Sequence, residues 1–339
     1  MTGLVEGLEA TDRALLNLLQ SGFPLDREPF RILGGQLGVS GADALRRARS
    51  LQEVGLFRSI SGIFDPAGLG HKSTLAALHV EEDPDAIGAA AAVVNAHPGV
   101  SHNYARNHYF NLWFTLSLPA DEKAEDVISD IAKRAGAGAS VNLPAVRVFK
   151  LRVYFDMIGD GEPALGATAS STAFAGGERD DGITIDDKRV VKQLCQDLPL
   201  VEMPFDVLAE RSGLAVDYFM ARMRRLQEMG VMRRLSAVLR HRKAGFVANA
   251  MTCFKVPAEQ MEAAGAKACD RKEVSHCYER RTAPGWPYNL FAMVHGRSQE
   301  ECQAVAEAIS RDIAIDEHLL LYSSKEYKKE KVRYFEWVV

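Results

Sequence analysis

Two stretches of the chain carry the same unusual set of polar side chains. Residues 274–280 and 100–106 both read Val-Ser-His-x-Tyr-x-Arg. Alternate side chains of a β-strand share a face, so the histidine, tyrosine and arginine would point one way and Ser275 would point the other. Such a face suits an anionic aromatic ligand, because arginine pairs with carboxylates and histidine exchanges protons near neutral pH. The side chains concerned are His276, Tyr278 and Arg280 in one stretch and His102, Tyr104 and Arg106 in the other.

These stretches belong to a longer internal repeat. Leu-Gln-Glu-x-Gly occurs at 51–55 and again at 226–230, a separation of 175 residues, and the polar stretches recur at a separation of 174. A repeat of this length indicates two copies of one structural unit. Each copy is therefore expected to span roughly 150 residues, near the usual size of a domain.

Hydrophobic periodicity predicts the same order of elements in each copy. Three short helices with a helix-turn-helix turn come first, then a strand in the position of a wing, and then strand, helix, strand, strand, helix, strand. The predicted fold class is α+β, a tandem duplication of a winged helix-turn-helix and a ferredoxin-like βαββαβ sheet. The final strands of the two sheets are predicted at 146–155 and 318–322, with a further edge strand at 332–338. The expected boundaries are helix-turn-helix domains at 8–64 and 183–239, αβ domains at 65–157 and 240–339, and a flexible linker at 158–182.

Composition limits the class of protein. The 339 residues are 47% hydrophobic and 25% charged, as in an ordinary soluble globular protein. The sequence has neither a run of about 18 apolar residues nor a basic-then-apolar signal at its start, so we expect a cytoplasmic protein that does not enter a membrane. The five cysteines form no Cys-x-x-Cys pair, which argues against a zinc site or a disulfide framework. A net charge of −4 argues mildly against a protein whose main task is to coat nucleic acid.

Architecture and motifs together resemble a known family. A helix-turn-helix followed by a ferredoxin-like sheet resembles the Lrp/AsnC family of transcription regulators, whose αβ domains pair into dimers. Three further motifs are Arg-His-Arg-Lys-Ala-Gly-Phe-Val-Ala-Asn-Ala-Met at 240–251, Gly-Trp-Pro-Tyr-Asn-Leu at 285–290 and Ser-Lys-Glu-Tyr-Lys-Lys at 324–329. With the Val-Ser-His-x-Tyr-x-Arg stretches, these motifs resemble the siroheme decarboxylases, Lrp-like enzymes of haem d1 and alternative haem biosynthesis. Two related subunits pair in that family, and here both would be fused in one chain.

The resemblance implies a carbon–carbon lyase. It would remove CO2 from the acetate side chains at C12 and C18 of siroheme and so give 12,18-didecarboxysiroheme. No cofactor is expected beyond the iron of the siroheme substrate. Siroheme is the expected small-molecule partner, and a homodimer of the chain is plausible, whereas DNA binding is expected to be weak or absent. The choice between the haem d1 branch and the alternative haem branch stays open.

The chemistry of the residues agrees with a polycarboxylate macrocycle as ligand. A pyrrole acetate loses CO2 when the electrons left on its methylene carbon delocalise into the ring and an acid protonates that carbon, and histidine is well matched to this task at neutral pH. His241 and His276 are the leading candidates for proton donor and for ligand of the siroheme iron, in either order, and His102 and His108 come next. The candidate substrate contacts are Arg240, Arg242, Lys243, Tyr104, Arg106, Tyr278, Arg280, Arg281, Trp286, Asn249, Lys325 and Lys328.

The two copies have diverged. His241 and Arg242 correspond to Pro66 and Ala67 in the first copy, which also lacks a Gly-Trp-Pro sequence. We therefore expect one competent site per chain, dominated by the second copy. Trp286 is expected to shape a loop rather than to belong to the core, and from that loop it would stack on the macrocycle. The histidines assigned to structural or surface roles are His71, His79, His97, His295 and His318.

Two other classes of protein compete with the enzyme. A DNA-binding regulator would use the third helix of each copy, as a recognition helix does. Asp43 and Asp217 near the starts of these helices argue against that use, because they would face DNA phosphates. A tetrapyrrole sensor would bind the same ligand without turnover. The arginines of the two third helices are Arg46, Arg47, Arg49, Arg222, Arg224 and Arg225.

Overall fold

A computed structural model describes residues 7–151, 172–173, 182–239 and 248–335. Most of the predicted linker and the basic segment 240–247 lie outside the described residues. The predicted domain boundaries, which depend on these segments, stay predictions.

Each copy contains the predicted series of elements. The first copy contains α1 (Ala10–Ser21), α2 (Pro29–Leu37), α3 (Gly41–Glu53), β1 (Phe57–Phe64), β2 (His71–His79), α4 (Pro84–Ala96), β3 (Val100–Arg106), β4 (Leu112–Pro119), α5 (Ala124–Arg134) and β5 (Ala139–Leu151). After a two-residue strand β6 (Thr172–Ala173), the second copy contains α6 (Ile185–Leu194), α7 (Pro204–Ser212), α8 (Val216–Glu228), β7 (Met232–Leu239), β8 (Ala248–Phe254), α9 (Met261–Asp270), β9 (Val274–Arg280), β10 (Leu290–Gly296), α10 (Gln299–Ile313) and β11 (His318–Lys329). The predicted fold class is confirmed.

The same residue types delimit the middle helix of both trihelical units. Helices α2 and α7 begin at Pro29 and Pro204, where proline lacks only an N–H that has no partner in the helix. They end before Gly38 and Gly213, which adopt the left-handed conformation with φ of 70°. Glycine adopts this conformation without the steric cost of a Cβ.

The two trihelical units form one body. Strands β1 and β7 pair with each other in an antiparallel ribbon, so the two wings join the copies. Phe23 of the first unit meets Phe205 of the second edge to face, with ring centroids 6.4 Å apart, and both lie in a shared core. Arg27 and Asp206 form an ion pair across the same junction at 2.8 Å. The units are therefore not two separate DNA-reading heads.

The two αβ sheets join into a closed series of strands. The order is β2-β4-β3-β11-β8-β10-β9-β5, and β5 returns to β2. Closure occurs because the last strand of each sheet serves both copies. Residues 139–144 of β5 pair with β2 and residues 145–151 pair with β9. In the same way β11 pairs first with β8 and then with β3. Strands β3 and β9 consequently lie opposite each other in the series.

The predicted ends of two strands and the predicted edge strand need correction. Strand β5 begins at Ala139, earlier than the predicted start at 146, and β11 extends to Lys329 rather than ending at 322. The predicted edge strand at 332–338 is wrong for its described part, because residues 332–335 form no strand. Tyr334 and Phe335 are instead buried in the shared core of the trihelical units.

Helices cover the outer faces of the two sheets, and apolar side chains fill part of the space between the sheets. Helices α4 and α5 pack on the first sheet, and α9 and α10 pack on the second. Between the sheets lies an aromatic cluster that contains Phe110, Trp113, Trp286 and Phe291. We call the space between the two sheets the interior.

Candidate functional site

The polar triplets of β3 and β9 line the interior. His102 and Tyr104 lie on one face, with ring centroids 6.2 Å apart, and the guanidinium of Arg106 lies 5.6 Å from the centre of the Tyr104 ring. The intervening Asn103 points to the helices, since its amide donates to the backbone oxygen of Ala91 at 3.3 Å. In β9 the triplet of His276, Tyr278 and Arg280 repeats this arrangement. The prediction that each triplet shares a face is confirmed.

The prediction for Ser275 is wrong. The pairing of β9 with β10 shifts between His276 and Val274, so Ser275 is the extra residue of a β-bulge. A bulge interrupts the alternation of side chains along a strand. The Ser275 hydroxyl therefore contacts the His276 imidazole, with Oγ 2.8 Å from Nδ1. Strict alternation would have placed these two side chains on opposite faces. Ser101 occupies an equivalent bulge beside His102.

Burial and positive neighbours keep the His276 imidazole neutral. Burial is the main cause that lowers its pKa to about 3, because water no longer solvates the charged ring. His295, His102, Arg234 and Lys150 lower the pKa further, in that order. His276 of the second copy and His102 of the first copy are therefore close enough to interact electrostatically.

The two neighbouring imidazoles have the same type of environment. Burial lowers the pKa of His102 to about 4, and Lys329 and Arg58 lower it further. Burial and Lys329 likewise lower the pKa of His295 to about 4. The charged groups that act on the three imidazoles are thus positive ones, from the ribbon of β1 and β7 and from β5 and β11. A site with this charge favours an anionic ligand.

Two buried guanidinium groups mark the other part of the interior. Arg106 donates from Nη1 to the backbone oxygen of Leu321 in β11 at 2.9 Å. Arg280 donates from Nη1 to the backbone oxygen of Leu143 in β5 at 2.8 Å. Each arginine therefore binds the last strand of the other copy. Burial lowers the pKa of Arg106 to about 10 and also lowers that of Arg280. A guanidinium keeps its proton in proteins, so both groups are cations. Their Nε atoms have no hydrogen-bond partner, and within the described chain no carboxylate pairs with either group. Burying a cation without a counter-ion costs free energy, so an anion that binds beside these two guanidinium groups would be favoured.

Trp286 belongs to the core, contrary to the expectation from sequence. Its side chain is 1% exposed. The turn that carries it closes with the N–H of Trp286 donating to Ala283 at 2.8 Å, and Gly285 in that turn has φ of 78°. The indole meets Trp113 at 4.9 Å and His108 at 5.2 Å, both from the first copy. Trp286 thus fixes the loop of one copy against the sheet of the other.

Truncating Trp286 is expected to destabilise the protein strongly. Trp286→Ala would leave a cavity in the aromatic cluster, and such changes cost about 3–5 kcal/mol. Urea unfolding followed by circular dichroism measures the loss. Tyr109→Ala is a matched control, because Tyr109 is 54% exposed and its removal leaves no enclosed cavity. Equal stability of the Trp286→Ala variant and the wild type would show that the indole is not a core group.

The other predicted residues are divided between the interior and the surface. Asn249 pairs with His295 across β8 and β10, and His108 lies beside Trp286. Lys325 and Arg281 are exposed, and Lys328 donates from Nζ to the oxygen of Asn95 near the end of α4, where a cation favours the helix dipole. In the pairing of β11 with β3, Lys325 and Lys328 lie opposite Ala105 and Asn103, which are the residues between those of the first triplet. The predicted residues Arg240, His241, Arg242 and Lys243 lie outside the described residues.

Sequence reasoning missed His295, Arg58 and Arg234. Arg58 and Arg234 lie on β1 and β7, which pair across distant segments, and His295 meets Ser275 and His276 only through the register of two neighbouring strands. The register of β10 against β9 was the signal needed, and it becomes visible only in the paired sheet.

The histidines predict a characteristic loss of stability in acid. Their folded-state pKa values lie below the ordinary value of 6.5, so the unfolded chain takes up more protons as the pH falls below 6.5. Stability that is fully present above pH 6.5 should therefore decrease toward pH 4, by up to about 1.4 kcal/mol per pH unit for each buried ring. Unfolding in urea at pH 7, 6 and 5 measures the slope. The slope should be shallower in His276→Gln, and equal slopes would contradict this assignment.

In the chain outside the gaps no three potential ligands of a metal ion come together, and no helix is long and apolar enough to cross a membrane.

Comparison with known proteins gives consistent results. The family described as AsnC-like ligand binding domain matches residues 68–150 and 243–328, and that described as Siroheme decarboxylase NirDL-like HTH domain matches 12–58 and 187–233. The siroheme decarboxylase of Hydrogenobacter thermophilus is 40% identical over 95% of this chain and 94% of its own length. The siroheme decarboxylase NirDL subunit of Paracoccus pantotrophus is 32% identical over 95% of this chain and 96% of its own length.

Solved structures extend the likeness to the whole fold. The crystal structure of the siroheme decarboxylase NirDL superposes with a TM-score of 0.74 and 36% identity, and the match covers 96% of this chain and 94% of that one. A second NirDL crystal structure, in complex with an iron-uroporphyrin III analogue, gives the same TM-score and covers 95% of that chain.

Proposed function

Because this chain belongs to the siroheme decarboxylase family, we propose that it removes CO2 from the acetate side chains at C12 and C18 of siroheme. The product would be 12,18-didecarboxysiroheme, and the enzyme would be a carbon–carbon lyase. The observation that carries the proposal is the charge of the interior. The guanidinium groups of Arg106 and Arg280 have no carboxylate partner among the described residues, and the imidazoles of both copies lie near lysine and arginine side chains.

Substrate carboxylates would complete this interior. Each guanidinium has an Nε that lacks a partner, and an arginine can donate to a carboxylate through two N–H groups. Tyr104 and Tyr278, which lie under the two guanidinium groups, offer aromatic faces and hydroxyls to the macrocycle. We propose that Arg106 and Arg280 bind carboxylates and that the tyrosines contact the ring.

The residues also suit the chemical step. When an acetate loses CO2, the electron pair of the broken C–C bond stays on the methylene carbon, and one proton must be added there to give a methyl group. We propose His276 as the donor of this proton. The ring is neutral before substrate binds, and carboxylates that enter beside it would raise its pKa, because negative charge favours the protonated form. His241, which is outside the described residues, is then the proposed ligand of the substrate iron.

We propose further that each chain holds one competent site, built from both copies. The two triplets line the same interior, and the loop of Trp286 is present in the second copy alone. Siroheme should therefore bind with one equivalent per chain, as titration of its absorption spectrum would measure. Two equal equivalents would contradict a single site. A cytoplasmic location and the formation of a homodimer stay proposals of the same kind, and the choice between the haem d1 branch and the alternative haem branch stays open.

The regulator is the less favoured alternative. Every arginine of the two third helices is engaged within the protein: Arg46 with Asp43, Arg47 with Asp12 and Glu9, Arg49 with the oxygen of Leu200, Arg222 and Arg225 with Asp187, and Arg224 with the oxygen of Leu25. A recognition helix needs its cations free for phosphates and bases. In a gel shift at low salt, we expect only weak binding without sequence preference.

Anaerobic incubation with siroheme, followed by mass analysis of the tetrapyrrole, tests the function. The expected product has lost two CO2. A coloured complex in which the mass of siroheme is unchanged after many hours would favour the sensor that binds without turnover. A salt-dependent, sequence-specific gel shift without siroheme conversion would favour the regulator.

A further inference from the structure

A serine hydroxyl connects two imidazoles in the second copy. Ser275 Oγ lies 2.8 Å from Nδ1 of His276 and 2.7 Å from Nε2 of His295. A third contact, to the backbone oxygen of Met293, is longer at 3.4 Å. A hydroxyl carries one proton and can accept two hydrogen bonds, so Ser275 either donates to one ring and accepts from the other, or donates to Met293 and accepts from both rings. The 3.4 Å distance to Met293 makes its oxygen the weakest of the three partners and favours the first arrangement. The three side chains therefore form a directed chain of hydrogen bonds.

The first copy lacks this chain. Ser101 Oγ lies 3.0 Å from Nδ1 of His102, as its counterpart does in the second copy. Leu116 pairs with Val100 as Val294 pairs with Val274, so the residue that corresponds to His295 is the next one along β4, Ser117. The second imidazole is thus specific to the copy that carries His276.

We propose that His295 is a positioning residue for the decarboxylation, through Ser275. In this assignment Nε2–H of His295 donates to Ser275, and the Ser275 hydroxyl donates to Nδ1 of His276. His276 then carries its proton on Nε2. The inference rests on the proposed function, since it assigns to His276 the proton that the methylene carbon receives when the C–C bond to CO2 breaks.

The direction of the chain decides what His276 can do. A neutral imidazole has one N–H, and the hydrogen bond at one ring nitrogen determines which nitrogen carries it. With Ser275 donating to Nδ1, the proton is on Nε2 and the ring can act as an acid. With the opposite direction, the proton would be on Nδ1 and Nε2 would have none to give. Holding the ring in one tautomer also fixes its orientation, as hydrogen-bonded partners do for other functional histidines.

The surroundings of His276 favour its neutral ring before substrate binds. The groups that lower its pKa are the imidazoles of His295 and His102 on β10 and β3, together with the positively charged Arg234 of the ribbon and Lys150 of β5. All of them disfavour the doubly protonated ring, so control of the tautomer matters before the anionic substrate arrives. His295 therefore determines which ring nitrogen of His276 carries the proton, and not how many protons the ring carries.

A double-mutant cycle tests the inference. His295→Leu and Ser275→Ala each break the chain at one link, and each is expected to lower kcat by about 10–100-fold, as loss of a partner of a functional histidine does elsewhere. KM should change little, because neither residue contacts the substrate in this assignment. The double variant should lose no more than either single variant, since the same chain is broken twice. His295→Gln retains an N–H donor and should recover much of the loss.

Nitrogen NMR of histidine-labelled protein gives a readout that needs no turnover. The wild type should show His276 with its proton on Nε2, and both single variants should show a mixture of tautomers. His318→Leu is the matched control, because His318 is the first residue of β11 and, among the described residues, its ring bonds to the backbone oxygen of Asp316 and to no side chain. It should change neither kcat nor the His276 signals.

Three results would overturn the inference: a wild-type His276 protonated on Nδ1, additive losses in the double variant, or a change confined to KM. Failure of the proposed function gives a different result. In that case the wild type would not convert siroheme, while the NMR tautomer would still report directly on the role of His295.

Discussion

Replacing His276 by glutamine is expected to slow siroheme decarboxylation by about 10²–10⁴-fold, the range that a positioned general acid contributes. Glutamine can still hydrogen-bond to Ser275, but its amide cannot give up a proton at neutral pH. Binding should change much less than turnover, because the carboxylate contacts assigned to Arg106 and Arg280 are untouched. Single-turnover assays, with the enzyme in excess of siroheme and at a concentration above the Kd, measure the rate of turnover separately from binding.

Comparison with other histidines sharpens this test. His102→Gln should have a smaller effect, since His102 lacks the second imidazole that His276 reaches through Ser275. His318→Gln is the control outside the interior and should be unaffected. Retained turnover in His276→Gln, and also in variants of His241, His102 and His108, would remove the assignment of a histidine as the proton donor.

Replacing Arg106 and Arg280 together by methionine is expected to have opposite effects on stability and on binding. Methionine has a similar length without the charge. Each guanidinium has an unpartnered Nε and no carboxylate partner among the described residues, so its removal should stabilise the fold, by up to about 1–4 kcal/mol, the range seen when buried ion pairs are replaced by apolar groups. The free energy of unfolding in urea measures this gain.

The same double variant should bind siroheme much more weakly. A hydrogen bond to a charged group contributes about 1.5–3 kcal/mol, so the loss of both arginines should raise Kd by at least about 100-fold. Arg134→Met is the matched control, because Arg134 is exposed and pairs with Asp130 at 3.4 Å on the surface of α5. A double variant that is destabilised, with siroheme affinity unchanged, would mean that the two arginines are structural.

Ser275 and Trp286 show where prediction from local pattern fails. Alternation along a strand is a local rule, and it correctly placed His276, Tyr278 and Arg280 on one face. It failed at Ser275, because a bulge arises from the register between two strands and cannot be read from one of them. Trp286 lies in a segment rich in glycine and proline, which predicts a loop. Its burial comes from the other copy, whose Trp113 and His108 receive the indole.

The sequence by itself determined the duplication, the order of helices and strands, and the polar triplets, because each depends on residue types at short and regular spacing. The tertiary structure alone decided that β5 and β11 each serve two sheets, which brings β3 and β9 to opposite sides of one interior. It also decided that His295, Arg58 and Arg234 act on the imidazoles. Strand pairing and its register produce these contacts, and their free energy comes from the packing of whole sheets rather than from any short stretch of residues.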